Sequence, residues 1–180
     1  MIVVVMGVSG CGKSTVGAAL AGALGWRFLD ADDFHPAENV AKMAAGTPLT
    51  DADRWPWLDR IVEALRAVTA EQRSAVLACS ALRESYRTRL ARAGALRFVH
   101  LRGDAAAIAP RLAARQHRYM PATLLSSQFA TLEPPSDAID IDVGSDCATQ
   151  VTQIIAALAL PPNEAAHGTQ DRRTTSGNGP

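Results

Sequence analysis

The sequence predicts an α/β fold, a parallel sheet covered by helices on both faces. Three observations predict it. Short apolar runs bounded by turn residues alternate with segments of helical periodicity along the chain. The first run, 2–6, is apolar at every position, as expected of a strand buried on both sides. The chain has 180 residues, 48% hydrophobic and 20% charged, the size of one globular domain. A domain of this size buries roughly two-thirds of its unfolded surface and needs no disulfide or metal staple.

Residues 2–6 form the first strand, ending at Gly7. Val16, Leu20 and Leu24 recur every four residues and predict a helix that closes near Gly25. Residues 26–29 read as a second, short strand, and Asp33 is placed to cap a helix around 34–43. Leu58, Ile61, Val62, Leu65 and Val68 follow helical spacing; Thr50-x-x-Asp53 ahead of them resembles a capping box, and Pro56 fits a first helical turn. A third buried strand at 75–79 leads into a helix carrying Leu82, Tyr86 and Leu90. The fourth strand is 96–101. Asp104 can cap the next helix, in which Pro110 should produce a kink or a break. Residues 138–143 alternate polar and apolar, which suits a fifth, edge-like strand. Val151, Ile154, Ile155 and Leu158 share one face of the last helix. Residues 161–180 hold no large apolar side chain and read as a disordered tail, leaving 1–160 as a single domain. Right-handed crossovers follow, with ligands outside the carboxyl ends of the strands. That rule selects the loops 7–14, 30–36, 79–83 and 101–104.

Charge and cysteines narrow the partners. The formal net charge is zero, from 18 basic and 18 acidic residues, so no basic excess points to nucleic acid. Cys11, Cys79 and Cys147 are widely spaced and odd in number, as expected of reduced thiols in a cytoplasmic protein. The apolar run at 1–6 is too short for a signal peptide or a membrane span, so no membrane partner is expected.

The segment Gly7-Val8-Ser9-Gly10-Cys11-Gly12-Lys13-Ser14 matches G-x-x-x-x-G-K-[ST] between a buried strand and a helix. Its glycines let successive backbone N–H groups turn toward phosphate oxygens. Lys13 reaches the β and γ oxygens, the Ser14 hydroxyl can ligate Mg²⁺, and the helix presents its positive end to the same anion. These residues, with Thr15, make up the expected nucleotide-binding set. The chain has no Asn-Lys-x-Asp signature, and no strand ends in a hydrophobic-Asp pattern; the third ends at Cys79-Ser80. It is also too small for a motor with sensor domains. What remains is a compact kinase in a P-loop NTPase fold.

Four segments carry a closer resemblance: GVSGCGKST, LDADDFHPAENVAKMAAGTPLTDADRWPWL, ACSALRESYRTRL and SQFATLEPP. Over about residues 1–157 the chain resembles the gluconokinase family, and 29–58 is the most specific part. The resemblance implies the fold of nucleoside monophosphate and shikimate kinases. Such a fold has a five-stranded parallel core, a substrate-binding insertion at about 36–60 and a lid at about 112–130. It also implies ATP with Mg²⁺ as cofactors, D-gluconate as substrate, 6-phospho-D-gluconate as product, and a homodimer. The alternatives are a shikimate or nucleoside monophosphate-type kinase, or a non-catalytic nucleotide-binding regulatory module. Shikimate kinases usually carry a Gly-Gly-Gly turn where this chain has Cys79-Ser80-Ala81.

A polyol carboxylate needs hydroxyl acceptors and a cation. By resemblance to shikimate-type kinases, Asp30 lies near the Mg²⁺ water shell, and Asp32 binds the attacking hydroxyl and can take its proton. Both could instead serve only as helix caps. His35 either bonds a substrate hydroxyl or fixes its loop. Arg54, beside Trp55 and Trp57, offers a fork for the carboxylate, against the alternative of a surface arginine. The tryptophans read as core or hinge packing. Arg83, where the family often has Lys, is placed to contact gluconate or phosphate, while Cys79 packs as a small apolar residue. Arg111, Arg115 and Arg118 punctuate the lid segment, with Arg115 assigned to catalysis and Arg111 to adenine packing; a solvated helix face is the alternative. Family lids typically read Arg-x-Gly-His-Phe, whereas this chain reads Arg115-Gln116-His117-Arg118-Tyr119.

Overall fold

The structure, a computed structural model, describes residues 1–113 and 125–160. Its strands are β1 (Ile2–Met6), β2 (Arg27–Asp30), β3 (Ala75–Ala78), β4 (Leu96–Arg102) and β5 (Ile139–Asp142). They form one parallel sheet in the order β2-β3-β1-β4-β5. The central β1 is flanked on both sides, so every one of its residues is buried. Its alternation explains the unbroken apolar run. Val3 and Val5 enter one core with Leu20, Leu24 and Ile154; Ile2, Val4 and Met6 enter the other with Leu58, Ile61, Leu65 and Leu90. Helices α1 (Lys13–Leu24) and α7 (Cys147–Leu158) thus cover one face, and α3 (Asp51–Ala70) and α4 (Glu84–Leu90) the other.

The expected helices occur, though Leu82 lies ahead of α4 rather than on it, and with three further differences. The cap after β2 is Asp30, not Asp33. Residues Ala31–Phe34 form a 3-10 turn, and the Asp30 carboxylate accepts from the Asp32 N–H at its start. The helix that follows, α2 (Ala37–Ala44), starts after Pro36 and has no side-chain cap. Second, Thr50 and Asp53 do form a reciprocal capping box on α3, but the helix begins at Asp51, which places Pro56 beyond the first turn. Third, α5 (Ala105–Ala113) runs on through Pro110 without a break. Each proline sits in the second turn of its helix, where its missing N–H leaves the carbonyl four residues back without its ladder bond while the helix continues. Asp104 bonds the Ala107 N–H as expected. At the sheet edge β5 pairs only with β4, burying Ile141 and exposing Asp140 and Asp142.

The short helix α6 (Leu125–Thr131) packs toward the first core through Leu125 and Phe129. The lid segment 114–124, with Arg115 and Arg118, and the tail 161–180 lie outside the described residues. No helix among the described residues is long and apolar enough to cross a membrane.

Candidate active site at the carboxyl edge of the sheet

The loop leaving β1 turns on glycines that no other residue could replace without strain. Gly7 has φ 140°, Gly10 82° and Gly12 104°, all in the region L side chains avoid. A Cβ on Gly7 would also stand 2.9 Å from both the Leu101 carbonyl oxygen and Cys11 Sγ. Gly12 is the N-cap of α1, and no side chain caps that helix, so its positive end is left for an anion. Val8 and Cys11 are buried and joined by a backbone bond of 3.4 Å; they shape the loop from below. Lys13 arcs back over the loop, its Nζ 2.9 Å from the Val8 carbonyl. Thr15 is exposed on α1.

The loop after β2 meets it. Ser14 Oγ donates to Asp30 Oδ2 at 2.7 Å, while Asp30 Oδ1 accepts from the Asp32 N–H at 3.1 Å. In an extended strand the side chains of Asp30 and Asp32 would leave the same face, but here the strand ends in a tight turn, and both aspartates border one cavity. Trp57 braces the turn from α3 by donating from Nε1 to the Ala31 carbonyl at 2.7 Å, and is itself only 4% exposed. His35 stacks on Trp57 with ring centroids 4.3 Å apart.

Between these loops lies a cavity of about 320 Å³. Its walls include Ser9, Gly10, Gly12, Lys13 and Ser14 of the glycine loop, Asp30 and Asp32, His35 and Arg54, and Gln128 of α6. Asp32 is open to the cavity yet hemmed in by protein. Loss of solvation, then the neighbouring Asp30 charge, raises its pKa above the ordinary carboxylate value, while Lys13 pulls it down. Burial first, and the Arg54 charge second, lower His35 to about 4. Burial pushes the Cys79 thiol up to about 12, so it packs as an inert apolar group.

The family model described as "Shikimate kinase" matches residues 9–130. The chain is 45% identical to the "Probable gluconokinase" of Xenopus tropicalis, with 86% of this chain and 91% of that one aligned. It is 50% identical to the "Gluconokinase" of Gluconobacter oxydans, over 74% of this chain and 76% of that one. The crystal structure of a gluconokinase from Sinorhizobium meliloti superposes with a TM-score of 0.78 at 44% identity, covering 87% of this chain and 90% of that one. The chain belongs to the gluconokinase family.

Within this gluconokinase-family cavity the sequence-derived site residues divide as follows, with Gly7, Val8, Cys11 and Thr15 of the expected nucleotide set absent from its lining. Ser9, Gly10, Gly12, Lys13, Ser14, Asp30, Asp32, His35 and Arg54 line it together. Arg83 does not; it pairs with Asp51 at 3.0 Å, outside the lining. Arg111 also lies away from it, donating to the Val143 carbonyl beside the end of β5 at 2.7 Å. Arg115 is outside the described residues.

Sequence reasoning missed Gln128, whose Oε1 accepts from the Ser9 N–H at 2.6 Å across 119 residues. No spacing rule links residues that far apart; the SQFATLEPP segment was a signal of family only. Gln128→Glu would set a negative charge against the same N–H groups that a triphosphate needs. We expect the KM for ATP to rise about tenfold with the fold intact. Steady-state kinetics at varied ATP check this, and an unchanged KM removes Gln128 from the nucleotide pocket.

The His35 shift carries a stability consequence. A lowered folded pKa means the fold prefers neutral imidazole, so its contribution is complete above pH 6.5 and is lost as pH falls toward 4. Wild type should lose on the order of 2 kcal/mol across that window relative to His35→Gln. Urea unfolding of both proteins at pH 7 and pH 4.5 measures it. Parallel losses would refute a buried neutral His35.

Proposed function

We propose that the chain transfers the γ-phosphoryl group of ATP to a hydroxyl of D-gluconate, releasing ADP and 6-phospho-D-gluconate. The observation that carries this reading is the convergence of the glycine loop, Asp32 and Arg54 on one cavity. A phosphate cradle, a carboxylate base and a cation for an acid group then share one space, which is what an acidic polyol acceptor requires.

The donor set fits Mg²⁺. Ser14 Oγ and the Asp30 carboxylate are hard oxygens 2.7 Å apart, and magnesium is ordinarily held by one or two carboxylates together with substrate phosphates. When bound, the ion neutralises charge on the β and γ phosphate oxygens. The protein's own contribution is positional. Loop amides and Lys13 hold the phosphates. Asp32 orients the acceptor hydroxyl and takes its proton as the oxygen attacks phosphorus and the bond to the β-phosphate oxygen breaks, ADP leaving. Arg54 holds the acceptor's carboxylate, and neutral His35, stacked on Trp57, offers a hydrogen bond without adding charge. Arg115 is assigned to the transferring group by family resemblance, from which a homodimer is also inferred, while a cytoplasmic setting is inferred from the three widely spaced cysteines.

A coupled assay of ADP release with gluconate, shikimate, hexoses and nucleoside monophosphates tests the reading. Stimulation by gluconate above all others is expected. ADP release that gluconate does not stimulate would overturn it.

A further inference from the structure

Arg54 and Asp51 stand three residues apart on α3, a spacing at which opposite charges ordinarily pair directly. Here a hydroxyl intervenes. Tyr86, on α4, donates from its hydroxyl to Asp51 Oδ1 at 2.5 Å and accepts from Arg54 Nη1 at 3.3 Å. Arg54 and Asp51 are left 3.5 Å apart at their nearest atoms. The other carboxylate oxygen, Asp51 Oδ2, is taken by Arg83 at 3.0 Å. Both oxygens of Asp51 therefore have donors other than Arg54.

The surrounding carboxylates are committed as well. Asp53 accepts from Lys42 and from Thr50, and Asp59 holds Arg89 through two bonds of 2.6 and 2.7 Å. Among the described residues Arg54 thus donates its side-chain hydrogen bond to a neutral hydroxyl and keeps only a longer ion pair, 3.5 Å, with an Asp51 whose oxygens have nearer donors, so its charge still acts on the cavity it lines. That charge is felt there, since Arg54 helps to depress the His35 pKa. Tyr86 is well placed for such a task. It is 3% exposed, Trp55 packs edge-on against its ring at 5.6 Å, and the guanidinium groups of Arg54 and Arg83 lie 5.5 and 5.9 Å from the ring centre. Burial and the bond to Asp51 raise its pKa, which keeps the hydroxyl protonated and able to donate.

We infer that Tyr86 is a positioning residue whose hydroxyl keeps Asp51 from capturing Arg54, so that the arginine stays available to an anionic group of the acceptor. The inference rests on the reading of Arg54 as the carboxylate-holding residue. Arg83, on this view, serves acceptor binding indirectly, by occupying Asp51.

In Tyr86→Phe, Asp51 Oδ1 loses its donor and Arg54 is near enough to replace it, masking the cation. A simple packing defect predicts something different. Removing Asp51's charge as well would then add damage, whereas release of a captured arginine predicts recovery.

The experiment measures gluconate KM and kcat at saturating ATP for Arg54→Met, Tyr86→Phe, Asp51→Asn and the Tyr86→Phe/Asp51→Asn double variant of the full chain, with melting temperatures as a fold check. Tyr86→Phe should raise gluconate KM about tenfold, with kcat and the KM for ATP within about twofold of wild type. The double variant should recover most of that loss. An unchanged KM in Tyr86→Phe, or a double variant no better than Tyr86→Phe, overturns the inference even if Arg54→Met raises KM strongly. A gluconate KM unmoved by Arg54→Met removes the carboxylate-holding role of Arg54, and the inference falls with it.

Discussion

Asp32→Asn is expected to lower kcat by about a thousandfold while the KM for ATP stays within about twofold of wild type. Asn keeps the size and one acceptor oxygen of the side chain but cannot take a proton, so the acceptor hydroxyl is oriented without a base. The bonds of the nucleotide set, Lys13 to the Val8 carbonyl and Ser14 to Asp30, do not involve the Asp32 side chain and are kept. The same substitution should raise the melting temperature at pH 7. The folded pKa of Asp32 is raised, by lost solvation and then by Asp30, so the protonated form is the one the fold prefers. The associated stability is complete below the ordinary carboxylate value and is lost as pH rises through the folded one. At neutral pH wild type bears that cost and the Asn variant does not; near pH 3 the two should converge. In the wild-type enzyme, kcat should fall on the acid side as pH drops through the raised Asp32 value. Thermal melts and pH profiles of both proteins check each part. Loss of turnover with a lower melting temperature at pH 7 would mean that Asn has simply disordered the turn.

That site was partly readable from the chain alone, and the boundary has a physical cause. β1, α1 and the glycine loop were legible because each is specified locally: a run buried on both faces, a four-residue repeat, and glycines at positive φ. The Thr50–Asp53 box was legible for the same reason. The Asp33 cap was misplaced because a 3-10 turn separates β2 from α2, and Asp30, still at the strand end, satisfies that turn. Arg83 illustrates the deeper limit. Its sequence neighbours place it at the mouth of β3, but its partner is Asp51, 32 residues earlier and on another helix. Tyr86 read only as a core position of α4, although its hydroxyl meets Asp51 across 35 residues. Side chains that bridge elements leave no periodic trace, and in this protein such bridges decide which arginine faces the cavity.

Lys13→Met is the second change expected to be severe, with kcat reduced by about 10²- to 10³-fold, as for removal of one preorganised charge from a transferring group. Lys13 sits close above the loop, its Nζ 2.9 Å from the Val8 carbonyl, and with Arg54 carries the positive charge that lines the cavity among the described residues. The loss should have a second signature. Lys13 lowers the Asp32 pKa, opposing burial and Asp30, so its removal lets that value climb. The acid limb of the kcat profile should therefore move to higher pH in Lys13→Met. Lys13→Arg separates the two effects. It retains the charge and should restore the acid limb, but a planar fork cannot reproduce a compact ammonium folded onto the Val8 carbonyl, so turnover should remain low. An acid limb unmoved in Lys13→Met would show that Asp32 does not sense Lys13. Full activity in Lys13→Arg would show that charge alone, rather than its placement over the loop, is what the phosphates require.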